Sequence, residues 1–100
     1  MKYVSNAFSL NMLREPDCIL NITELSKDKF HSLAQDAYSV VGHRATANIL
    51  GLEFNRESIK INPDDEVLVA QLWGGRLPEN CRELPKNVDM KFFCVRVIKK

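Results

Sequence analysis

The chain has 100 residues, 45% of them apolar and 27% charged, with a formal net charge of +1. That length carries one domain around one core, and the near-neutral balance excludes a polyanion-binding surface spread over the whole molecule, so any grip on phosphate must come from a few placed residues. No apolar run approaches the roughly 18 residues that span a bilayer, and "MKYVSNAF" has one Lys and no long apolar region, which predicts no secretory signal.

Tyr3 and Val4 open a strand over about 2–5 that stops at Ser5-Asn6. One or two helical turns follow at 9–13, and "EPDC" then breaks the chain, because Glu15 before Pro16 is pushed out of the helical region. "CILNITEL" (18–25) is short and rich in branched residues, the pattern of a second strand. Ser26 caps a helix predicted through about Tyr38, with Asp28 in its first turn and Phe30, Leu33, Ala34 and Ala37 along one face. After "SVVG" a second helix is predicted from about His43 to Leu50, with Gly51 as its stop.

The second half reads as strands. "SIKIN" (58–62) alternates apolar and polar residues, and "PDDE" makes a tight turn. "VLVAQLW" (67–73) is a near-continuous apolar run, expected of a central strand covered on both faces. Residues 74–87 hold two glycines and two prolines and read as a loop, and "MKFFCVRVI" (90–98) closes the sheet. The expected fold is α+β (mixed α/β): a single domain over residues 1–100, with about five strands in a mixed sheet and flanking helices. Cys18, Cys81 and Cys94 are widely spaced, with no C-x-x-C and no zinc-site pairing with the two histidines. Reduced thiols of a cytoplasmic protein, Cys18 and Cys94 on strands, are expected, with no metal and no cofactor.

Four polar stretches sit at the ends of these elements, where a rigid scaffold carries function. In "GHRAT", His43 falls at the start of a helix; histidine is the side chain whose charge changes nearest neutral pH, which suits acid–base work, and a capping or surface role is the simpler reading of the residues alone. His31, inside the first helix, reads as a packing or solvated residue. In "RLPE", two glycines precede Arg76, letting backbone approach a ligand, and arginine grips phosphate with two hydrogen bonds. Glu79, three residues on, orients Arg76, binds a ribose hydroxyl, acts as a base, or forms only a surface ion pair. Arg56 stands between a helix and a strand. Asn6, Ser9 and Asn11 surround the start of a helical turn, where free N–H groups face anions; capping explains Asn6 or Ser9, and Asn11 less easily. Trp73 stacks on a base or packs in a core or interface.

Together "YVSNAFSLNML", "VGHRATANILG", "NR" before an alternating strand, and "DEVLVAQLWGGRLPE" followed by "KFFCVRV" resemble a family of small archaeal-virus, phage and mobile-element proteins. Its members include the viral anti-CRISPR ring nucleases that destroy cyclic tetra-adenylate, the second messenger of type III CRISPR defence. The resemblance covers nearly the whole chain in the same order. It implies a homodimer enclosing one cyclic RNA in the host-cell cytoplasm, with no membrane and no long nucleic acid as partner. It also implies His43 as the catalytic histidine, Arg76 and Glu79 as the R-x-x-E pair, Arg56 as a second ligand-binding arginine, and Asn6, Ser9 and Asn11 as N-terminal ligand contacts. The chain departs from relatives in a shorter stretch before "VGH" and in Asn80, where many have Gly. The alternatives are a non-catalytic sponge for a cyclic nucleotide or RNA, and an inhibitor that works by protein contact.

Overall fold

A computed structural model describes residues 1–78 and 81–100. Its elements are β1 (Lys2–Ser5), β2 (Cys18–Leu25), α1 (Lys27–Ala34), β3 (Tyr38–Ser39), α2 (Arg44–Leu50), β4 (Glu66–Gly74) and β5 (Asp89–Lys99), with a 3-10 turn at Leu10–Met12. The five strands form one mixed sheet in the order β2-β5-β4-β1-β3. β1 lies parallel to both β3 and β4, whereas β5 runs antiparallel to β4 and β2. The expected five-stranded mixed sheet with two principal helices is therefore the observed architecture.

β4 occupies the middle because its residues suit burial on both sides. Successive strand side chains point to opposite faces, and Val67, Leu68, Val69 and Ala70 are all buried. Leu68 and Ala70 join Val4 on one face, packed with Phe30, Ala34, Ala45 and Leu50 of the two helices. Val67 and Val69 join Tyr3, Val95 and Val97 on the other, under Leu13, Val40 and Ile61. α1 begins where Ser26 accepts from the Lys29 N–H at 3.1 Å, and α2 ends at Gly51, whose φ of +66° is the left-handed cap only glycine takes readily. Gly75, at φ +81°, is equally constrained: a Cβ there would stand 2.7 Å from the Asn87 carbonyl oxygen.

Two expectations are corrected. "SIKIN" is not a strand. Ile61 is fully buried, as the alternation implied, but it makes only an isolated parallel bridge with Leu13, through Ile61 N–H to the Met12 carbonyl and Arg14 N–H to the Ile61 carbonyl. Alternation reports which side chains are buried, and this segment plugs the second face without entering the ladder. The first helix also ends at Ala34 rather than near Tyr38, because Tyr38 and Ser39 pair with Tyr3 and Val4 as the edge strand β3. The Tyr3 and Tyr38 rings meet edge to face at 6.1 Å there. Cys18 and Cys94 lie on β2 and β5 as expected, and all three cysteines are free.

Candidate functional site at the carboxyl ends of the parallel strands

Parallel strands present their carboxyl ends together, and ligands of open α/β sheets gather beyond those ends. Asn6 follows β1 directly, and Val40 to His43 follow β3. Asn6 Oδ1 accepts from the Gly42 N–H at 3.0 Å, and the Gly42 carbonyl accepts from Arg56 Nε at 3.1 Å. The peptide units before His43 are thus held from two sides. Gly42 suits this crowding, since a Cβ there would stand 3.3 Å from Arg56 Cγ.

His43 is the N-cap of α2. Its Nδ1 lies 2.8 Å from Thr46 Oγ1 and accepts from the Thr46 backbone N–H at 3.4 Å. A hydroxyl both donates and accepts, so Nδ1 has a partner whether the ring is neutral or protonated, and among the described residues no hydrogen bond engages Nε2. Thr46 is buried, which fixes the ring through this contact. Asn6, Ala7, His43, Thr46, Gln71 and Leu72 line a cleft of about 200 Å³.

Ser9 and Asn11 belong elsewhere. Ser9 Oγ donates to Asn11 Oδ1 at 2.8 Å, and the Asn11 carbonyl accepts from Lys60 Nζ at 2.6 Å. Asn11 borders a second cleft of about 440 Å³ with Ser5, Val40, Glu57 and Lys60 among its walls. The consecutive residues Ser5 and Asn6, at the end of β1, line one cleft each. Near the larger cleft Tyr38 donates to Glu57 at 2.5 Å, which holds the phenol protonated and raises its pKa.

Arg56 is exposed and lies over the Phe54 ring as well as bonding Gly42. Arg76 is exposed on the segment after Gly74-Gly75, and the described lining of the His43 cleft does not include it. Glu79 lies outside the described residues, as does Asn80. Trp73 is 57% exposed, its ring 5.5 Å from that of Phe93 and within 5.0 Å of Lys91 Nζ. It borders an apolar hollow of about 230 Å³ with Phe8, Ile22 and Phe93, which shares Gln71 with the His43 cleft. Thr46 and Gln71 escaped the sequence reading. The i, i+3 relation of Thr46 to a capping residue was the available signal for the first, and nothing marks Gln71 within an apolar run. Among the described residues no group of three metal-ligating side chains comes together, and no helix is long and apolar enough to cross a membrane.

Fold and site define a small α+β domain with a cleft bearing polar side chains where its parallel strands end. A family model described as STIV B116-like matches residues 2–90, and the chain belongs to the STIV B116-like family. Among solved structures it is similar to B116 of Sulfolobus turreted icosahedral virus, with 26% sequence identity, a TM-score of 0.81, and coverage of 95% of this chain and 97% of that one. No curated protein matches the sequence.

Proposed function

We propose that the protein is a metal-independent ring nuclease that cleaves cyclic tetra-adenylate in the host-cell cytoplasm and so shuts off type III CRISPR signalling. The observation that carries this reading is the convergence of Asn6 and His43 on one cleft, with His43 Nδ1 partnered by Thr46 in either protonation state. In the reaction a ribose 2′-oxygen attacks the adjacent phosphorus in line. The new P–O bond closes a 2′,3′-cyclic phosphate as the bond to the 5′-oxygen breaks. His43 gives its proton to that leaving oxygen, an effect of roughly 10²–10⁴-fold. Glu79 positions the 2′-hydroxyl and takes its proton, Arg76 neutralises charge on the phosphoryl oxygens, and Asn6 and Arg56, with Ser9 and Asn11 of the turn after β1, hold the ring for attack.

A two-fold dimer presents two His43 side chains to two opposite phosphates of a four-membered ring, which yields two linear di-adenylates. The apolar hollow beside Trp73 and Ile22, the latter 61% exposed, supports pairing of two copies on that sheet face, next to the cleft through Gln71. Non-catalytic binding of the ring is the second reading, favoured by the position of Arg76 on an exposed segment outside the cleft lining. Protein in excess over cyclic tetra-adenylate, with chelator present, separates the two. The nuclease returns linear di-adenylate in a single turnover, and a sponge returns intact ring.

A further inference from the structure

Two arginines share one aromatic ring beside the cleft. The Arg44 guanidinium carbon stands 4.2 Å from the Phe54 centroid and that of Arg56 stands 5.3 Å from it. These distances put the two charges within about 10 Å, the screening length near 0.1 M salt. Both side chains are exposed, and among the described residues neither guanidinium forms a salt bridge. The nearby Glu57 accepts from Tyr38 instead. Arg44 also occupies the first turn of α2, an end that disfavours a cation, and that turn holds no acidic residue. Two like charges therefore share one ring, and the helix end does not favour the Arg44 cation.

Contact with the ring uses none of their donors. A guanidinium lying on a ring keeps its N–H groups in its own plane, free for the paired bonds that phosphate accepts. Arg56 gives Nε to the Gly42 carbonyl, and among the described residues its terminal nitrogens form no hydrogen bond. Gly42 directly precedes His43, which places this pair one peptide from the cleft.

We infer that Arg44 and Arg56, splayed on Phe54, form a phosphodiester clamp that holds an uncut phosphate of an RNA ligand next to the one facing His43. The inference rests on the proposed function for its ligand and adds Arg44 and Phe54 to the binding surface. The test measures binding of labelled cyclic tetra-adenylate and of linear hexa-adenylate across a salt series. The proteins are His43→Ala, which keeps the ring intact, and the same chain with Arg44→Gln, Arg44→Lys or, as a control on β5, Lys99→Gln. Thermal melts confirm folding, which an exposed side chain leaves in place.

Arg44→Gln is expected to weaken both ligands about tenfold and to make the salt dependence shallower by about one unit. Arg44→Lys keeps the slope but restores only part of the affinity, and Lys99→Gln matches the parent. Ring binding indifferent to Arg44 overturns the clamp and leaves the ring-nuclease reading standing. Hexa-adenylate bound through Arg44 while the ring is ignored keeps the clamp and removes that reading. Binding of neither ligand by any of these proteins ends both.

Discussion

The body of the sheet and its polar rim are held by different forces. In the body, four consecutive β4 residues, Val67 to Ala70, are buried on alternating faces against two apolar clusters. Cohesion there scales with buried area, at about 25 cal/mol per Å². At the rim, Asn6, Gly42, Arg56, His43 and Thr46 are joined by single directional bonds of 2.8–3.4 Å. Each such bond is worth about 0.5–1.5 kcal/mol net. The rim can thus be rebuilt for chemistry at small cost to folding, and the body cannot.

Substitutions sharpen this contrast. His43→Ala is expected to slow ring cleavage by roughly 10²–10⁴-fold, with a melting temperature only slightly lowered through the lost cap on α2. A melt collapsing together with activity would erase the division between rim and body. Phe30→Ala, at a fully buried ring packed 4.9 Å from Phe92, should cost about 3–5 kcal/mol in urea unfolding. Trp73→Glu lies between the two regions. Light scattering should show a shift from dimer to monomer and activity should fall with it, while the exposed position keeps the fold intact.

Smaller effects follow. Asn6→Ala leaves the Gly42 N–H without its partner and should weaken ring binding about tenfold, an energy of about 1.4 kcal/mol. The least is the exposed pair of Lys2 and Asp36, 2.9 Å apart. The Lys2 hydrogen bond lowers the Asp36 carboxyl pKa, so its stabilisation is present above the unfolded carboxylate value of about 3.9 and is lost as pH falls through the lower folded value. The same bond raises the Lys2 pKa, and that share is lost only as pH rises beyond about 10.5. Acid titration of Asp36→Asn against the parent should show a small difference confined to the acid limb and vanishing at high salt.

Much of the body was legible. The two-sided burial of β4 follows from an unbroken apolar run, and β2, α2 and β5 from branched residues, a glycine stop and alternation. What escaped depended on partners distant in sequence. "SIKIN" alternates because Ile59 and Ile61 meet the second cluster, yet its backbone bonds go to the turn at 10–14 and to Asp65 rather than to a strand. β3 is two residues long and exists because β1 offers it an edge. The rim was legible where polar residues follow strand ends, as with Asn6 and His43. Thr46 and Gln71 were hidden inside a helix and a strand, and the stacking of Arg44 on Phe54 is set by tertiary contact alone. Ser9 and Asn11, which the sequence groups with Asn6, bond to each other, and Asn11 borders the larger cleft rather than that of His43.

The most direct test is mass spectrometry of the products formed from cyclic tetra-adenylate by the parent protein and by His43→Ala, both with chelator present. The account predicts linear di-adenylate bearing a 2′,3′-cyclic phosphate from the parent and intact ring from the variant over the same interval. Intact ring from both, or the same product at the same rate from both, would contradict it.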